Sequence, residues 1–174
     1  MITYIKEVKE VLDGLDMNKI SKIVTILSEA LTVYIFGNGG SLATADHFVV
    51  DLLKYANKRA FSCSNLSLMT MVANDYGYDQ SFSWMIQRLC LPGDVFVGIS
   101  TSGKSSNVVK AMLCNSTTKT IFITGKCDSY CADLHLVIPS SRTQIIEDVS
   151  LIVCHMIALE MKKRSDEKCL KQSA

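Results

Sequence analysis

A chain of 174 residues with 18 Lys+Arg against 17 Asp+Glu, 48% hydrophobic residues and 2 Pro has the size of one domain that buries roughly 70% of its unfolded surface. A formal net charge of +1 argues against nucleic acid or an anionic membrane face as partner, because both are usually met with a clustered basic excess. The seven cysteines (63, 90, 114, 127, 131, 154 and 169) are odd in number and mostly in apolar segments, which excludes a disulfide framework and implies a reducing cytoplasm.

The opening stretch MITYIKEVKEVLDGLD mixes Glu and Asp with its apolar residues, so no signal peptide is expected, and no uncharged run approaches the ~18 residues of a membrane span. Residues 1–30 carry Ile5, Val8, Val11, Leu12, Leu15, Ile20, Val24 and Leu27 near helical spacing, interrupted at Gly14, and predict two helices or one broken helix. TVYIF (32–36) is a β-branched and aromatic run ending at Gly37, a buried strand. After GNGGS, helical periodicity runs from Ser41 to about Ala56.

The same unit of strand, polar loop and helix then recurs. RAFSC (59–63) reads as a second strand leading into the helix LSLMTMVA, with Asn74, Asp75, Tyr76 and Gly77 as a loop before an amphipathic stretch, 79–90. VFVGIS (95–100), TIFIT (120–124) and LHLVIP (134–139) are strands three to five, with SNVVKAMLC a helix between the first two. The last helix is predicted over 143–164, Thr143 capping it, with a frayed tail from 165. Lys162, Lys163 and Arg164 are followed at once by Asp166 and Glu167 and read as a solvated helix end. Apolar strands alternating with helices predict a single domain, an α/β three-layer αβα fold around a parallel sheet. A mean hydropathy of +0.23, high for this charge content, implies apolar surface between subunits.

In such sheets ligands bind beyond the carboxyl ends of the strands, so two loops matter most. Ser100, Thr101, Ser102 and Ser105, with the N–H groups around Gly103 at a helix start, form an anion cradle suited to a phosphate monoester. The Walker A spacing is absent. Gly37–Asn38–Gly39–Gly40–Ser41 lets backbone approach a ligand, and Asn38 and Ser41 can bond sugar hydroxyls. Together the loops suggest a phosphorylated polyol. His47 and Asp51 stand at i and i+4 on one helical face, while Glu147 and His155 are eight apart and differ by only ~80° around their helix. Two His and two carboxylates are an acceptable zinc set and equally an acid–base set for moving a proton between adjacent carbons. Cys127 and Cys131 have no second Cys or His pair at zinc-finger spacing.

The blocks FGNGGSLATADHF, VANDYGYDQSF, PGDVFVGISTSGKSSNVVKA and IIEDVSLIVCHMI closely resemble those of bacterial phosphoheptose isomerases, members of the sugar isomerase (SIS) superfamily, over roughly residues 30–162. The resemblance implies a flavodoxin-like fold with a five-stranded parallel sheet. It also implies isomerisation of sedoheptulose 7-phosphate to D-glycero-D-manno-heptose 7-phosphate for lipopolysaccharide or capsule, a homotetramer with sites at subunit boundaries, and one zinc per subunit. By the same resemblance Asn38, Gly39, Gly40, Asp51, Asn74, Asp75, Ser100, Thr101, Ser102, Ser105, Thr143 and Glu147 contact substrate, beside the Ser41 read from the loop itself. His47, Asp51, Glu147 and His155 hold metal, and Asp51 and His155 are catalytic. Asp51 stands where the family has Glu, and Glu147 where it has Gln. These departures keep two other readings open: a non-catalytic SIS protein that binds a sugar phosphate or a protein, and an isomerase of a different phosphorylated ketose.

Overall fold

Successive side chains on a strand point to opposite faces, and here the alternation sorts the core by shape. In the computed structural model, which describes residues 2–114, 118–127 and 131–172, the strands are β1 (Val33–Gly37), β2 (Ala60–Ser62), β3 (Val95–Ser100), β4 (Lys119–Thr124) and β5 (Leu134–Val137). All neighbours pair in parallel, in the order β2-β1-β3-β4-β5. Val33, Ile35, Val95, Val97, Ile99, Ile121 and Ile123 face a cluster built with α1 (Ile2–Asp13), α2 (Met17–Glu29), α3 (Gly40–Ala56) and α7 (Thr143–Gln172). Tyr34, Phe36, Phe96 and Phe122 face the other side, against α5 (Ser81–Leu89) and α6 (Ser106–Leu113), with Leu68 and Met69 of α4 (Leu66–Asp75) at its rim. Branched aliphatics thus fill one layer boundary and aromatics the other. Phe36 and Phe82 meet at 5.4 Å between ring centroids, within the range where aromatic pairs attract beyond simple burial.

Local chemistry fixes where the helices begin and end. Asp16 and Asn65 accept the N–H of Lys19 and Leu68, each at 3.0 Å, as N-caps of α2 and α4, contacts worth about 1 kcal/mol each. Asn57 closes α3 in the left-handed region at φ 46°.

Three expectations are corrected. Asn74 and Asp75 lie in the last turn of α4, not in the loop. Thr143 is the first helical residue of α7, and the carbonyl of Arg142 accepts the Ile146 N–H at 3.0 Å, so Thr143 is not the cap. The last helix continues to Gln172, because no Gly or Pro interrupts it and the pairs Glu160–Arg164 and Lys162–Asp166 bridge the expected end at i,i+4 spacing.

The strand order places a topological switch between β1 and β3, whose outgoing chains leave to opposite faces. The crevice where an open α/β sheet binds its ligand lies there. The two loops read as ligand-binding from the sequence are the ones that leave these strands.

Candidate active site

β3 ends at Ser100, beside Thr124 of β4, and the chain turns through Thr101, Ser102, Gly103 and Lys104 to Ser105, the N-cap position of α6. Gly103 sits at φ +64°, where a Cβ is strained, and its N–H donates to the carbonyl and hydroxyl oxygens of Ser100 at 3.1 and 3.2 Å. Ser102 Oγ accepts the Lys104 N–H at 3.2 Å. Ser100 and Ser105 hydroxyls lie 3.2 Å apart, yet the Ser105 side chain makes no cap bond to its helix. Its hydroxyl remains available beside the orphan N–H groups of the helix start, where an anion is favoured.

The neighbouring loop is braced from below. Asn38 Nδ2 donates to Asn107 Oδ1 at 2.8 Å, Asn107 Nδ2 donates back to Asn38 Oδ1 at 2.9 Å, and Tyr78 donates its hydroxyl to the same Asn38 oxygen at 2.8 Å. Asn107 also reaches Ser81 Oγ at 3.3 Å. Asn38 therefore has its acceptor filled and one N–H left for a ligand. It is a clamp between the loops more than the sugar-hydroxyl contact expected. Tyr78, Ser81 and Asn107 were not singled out from sequence; they bond to partners up to 69 positions away, and a polar residue in the first turn of a helix carries no signal of such a partner.

A second constellation lies further down α3. His47 and Asp51 meet His155 of α7: His47 Nε2 to His155 Nε2 is 3.0 Å, His155 Nε2 to Asp51 Oδ2 is 3.3 Å, and His47 Nε2 to Asp51 Oδ1 is 3.7 Å. Their ligand atoms all lie within 4.8 Å of one another. Asp51 is only 5% exposed, and its Oδ2 is buried with no hydrogen-bond partner, a costly state that a cation would relieve. Two imidazoles and one carboxylate match the donor set of zinc, so the residues fit a metal. The three open onto a cleft of about 330 Å³ with Tyr55, Ala158 and Leu159. Cys154, fully buried nearby, has its thiol pushed far up by burial and then by the Asp51 charge, which keeps it inert.

Glu147 does not join this group. A Cβ added to Gly40 would collide with Glu147 Oε1, so the carboxylate lies against the start of α3, while His47 and Asp51 sit two to three turns further along. Angular agreement around α7 placed Glu147 and His155 together, but eight residues also separate them by about 12 Å of rise. Of the expected four-ligand set, three candidate ligands converge among the described residues. Of the other candidates, Ser41 is buried at the start of α3, Gly39 holds φ +53°, and Thr143 is exposed. Asn74 Nδ2 donates to Asp75 Oδ1 at 2.7 Å on the exposed end of α4.

Known proteins share this fold. The SIS domain family matches residues 3–125. The chain is 37% identical over 173 residues to a probable phosphoheptose isomerase of Thermoplasma acidophilum, covering 88% of this chain and 93% of that one. It is 36% identical over 154 residues to a phosphoheptose isomerase of Aliarcobacter butzleri, covering 81% of each. Among solved structures, a phosphoheptose isomerase of Neisseria gonorrhoeae matches with TM-score 0.80 at 27% identity over 93% of this chain and 92% of that one. One from Francisella tularensis matches in fold with TM-score 0.82 at 24% identity over 93% of each.

Proposed function

The chain belongs to the SIS-domain family, in its phosphoheptose isomerase branch, and on that ground we propose that it interconverts sedoheptulose 7-phosphate and D-glycero-D-manno-heptose 7-phosphate. The observation that carries this reading is one fold holding both a hydroxyl-rich anion loop at a helix start and a buried carboxylate flanked by two imidazoles.

In the reaction the phosphate docks on Ser100, Thr101, Ser102 and Ser105, with the α6 N-terminus opposing its charge, and so fixes the register of the sugar. Asn38 offers its single remaining N–H, and Ser41, Asn74, Asp75, Thr143 and Glu147 complete the contacts to the sugar. The Asp51 carboxylate takes a proton from C1 of the ketose and returns it to C2, through a cis-enediol. His155 exchanges protons with the two oxygens as the carbonyl moves. Zinc, one per subunit, would be held by His47, Asp51 and His155, and when bound it supplies polarisation of the sugar carbonyl.

The position of these parts supports a homotetramer with sites between subunits. Asp51 stands eleven residues from Gly40, about 16 Å of helix rise, longer than the roughly 10 Å that a seven-carbon chain spans from C1 to its phosphate at backbone-like advance per bond. The exposed apolar residues Val50, Leu53 and Leu159 flank the three ligands and suit a helix face covered by another subunit. We place the enzyme in the cytoplasm, supplying heptose for lipopolysaccharide or capsule; no described helix is long and apolar enough to cross a membrane.

The test is incubation of the purified protein with sedoheptulose 7-phosphate, with zinc and with chelator, beside fructose 6-phosphate and ribulose 5-phosphate. Formation of the aldoheptose phosphate is expected. No aldose product from any ketose, with folded zinc-treated protein, overturns the reading, and conversion of another ketose alone overturns the substrate.

A further inference from the structure

We propose that Cys127 is a thiol modification site coupled to the phosphate loop: peroxide oxidises it to the sulfenic acid, which displaces Gly103 and weakens sugar-phosphate binding, while bound phosphate shields the thiol. The coupling rests on loop 100–105 holding phosphate; the reactivity of the thiol does not.

Cys127 lies three residues past the end of β4, half-buried at the ligand-binding edge of the sheet. Its Sγ is 3.3 Å from Thr124 Oγ1 and 3.9 Å from His135 Nε2, and Thr124 Oγ1 is 2.7 Å from that nitrogen. The Thr124 hydroxyl has its own acceptor, the Gly125 carbonyl at 2.7 Å. With that proton committed, Thr124 accepts, so His135 presents an N–H and Cys127 its S–H. The same N–H of His135 is placed to bond a thiolate once it forms. Stacking on Phe122, at 5.7 Å between centroids, holds the ring in place, and burial keeps it below its usual pKa.

Cys63, Cys90 and Cys114 instead lie in or against the aromatic cluster on one face of the sheet. Cys63 is pushed up to about 12 by burial, and the half-buried Cys90 and Cys114 are also raised, burial again the main cause. Thiols in apolar surroundings are inert, whereas those with polar, hydrogen-bonding neighbours and solvent access react.

Gly103 makes the connection to the phosphate loop. A Cβ built on it would fall on Cys127 Sγ and lie 3.0 Å from Cys127 Cβ, so the thiol packs directly against the one residue of the loop held at positive φ. An oxygen added to Sγ has no room on that side. In the reaction the sulfur attacks one oxygen of hydrogen peroxide; the S–O bond forms as the O–O bond breaks, and the departing hydroxide takes the thiol proton. The thiol becomes a sulfenic acid by a two-electron oxidation and the peroxide leaves as water.

The experiment treats the full-length protein and the variants Cys127→Ser and Cys127→Ala with hydrogen peroxide, traps sulfenic acid with dimedone, and maps adducts by mass spectrometry with and without inorganic phosphate. Sugar-phosphate Kd is measured by calorimetry before and after oxidation, and thermal melts confirm that the variants fold. Cys127 is expected to label at least about tenfold faster than Cys90 or Cys114 and to slow with phosphate, and oxidation is expected to raise Kd roughly ten- to hundredfold in the wild type alone. Equal labelling of the three thiols, or an unchanged Kd after Cys127 is oxidised, overturns the proposal. Untreated protein that binds no sugar phosphate defeats the phosphate-loop reading and the coupling together, and the labelling order then separates that failure from failure of the thiol claim.

Discussion

Asp51 is a buried carboxylate with one oxygen lacking any hydrogen bond, between two imidazoles. If that oxygen is there to hold a cation, Asp51→Asn lowers zinc affinity by at least about a hundredfold, on the scale at which even outer contacts of a metal site matter; metal analysis after dialysis against chelator checks this. Full zinc retention in a folded Asp51→Asn protein contradicts it. Tyr78 acts at a different point, donating to Asn38 at 2.8 Å. Tyr78→Phe removes one hydrogen bond worth about 1 kcal/mol, so KM rises roughly three- to tenfold with little change in kcat, measured by steady-state kinetics. His47 and Asp51 were legible in the sequence because i,i+4 spacing on a helix is a statement about one face. Asn38, Tyr78 and Asn107 were not legible as a unit, since nothing local ties three polar residues from three separate elements. Glu147 was misplaced because helical angle was read without helical rise.

The loops at the ends of β1 and β3 depend on backbone that only particular residues allow. A Cβ on Gly37 would stand 2.8 Å from both the Ile99 carbonyl oxygen and Ser41 Cβ, and the sheet pairing of Gly37 with Ile99 leaves that strand end little freedom to shift. Gly37→Ala therefore costs about 1–3 kcal/mol, visible as a fall in Tm. On β5, His135 carries a pH dependence. Burial first, and the Lys19 charge second, hold its pKa below the usual value, so as pH falls the unfolded chain takes up the proton first. Stability is intact above about pH 6.5, the ordinary His value, and is lost as pH drops through the window down to the folded pKa. His135→Gln is expected to flatten the fall in Tm across that window; an unchanged slope refutes the assignment. The strands were readable because β-branched and aromatic runs end at Gly or polar residues. The C-terminal boundary was not, because the segment after Arg164 is mostly exposed and polar and carries no apolar periodicity, while ion pairs at i,i+4 bridge the expected end.

At the scale of the whole molecule, five parallel strands were countable from the sequence, while the order β2-β1-β3-β4-β5 follows from which face each crossover helix covers, a choice that strand patterns do not encode. That order sets the anion loop beside Asn38 and leaves the candidate metal ligands His47 and Asp51 far along α3, against His155 of α7. If subunits complete one another's sites, mixing an Asp51→Asn subunit with one carrying Ser100→Ala and Ser102→Ala restores activity that neither parent has; refolded mixtures without recovery would put both halves in one chain. The proposed isomerisation requires Asp51 to move the proton between C1 and C2 of a phosphate-anchored ketose. The most direct measurement is single-turnover conversion of sedoheptulose 7-phosphate by the zinc-treated wild type and Asp51→Asn, followed by NMR, with sugar-phosphate binding matched by calorimetry. Aldoheptose phosphate is expected from the wild type, with a rate lower by roughly 10²–10⁴-fold in a variant that still binds the sugar phosphate. Conversion at an undiminished rate by Asp51→Asn would contradict it.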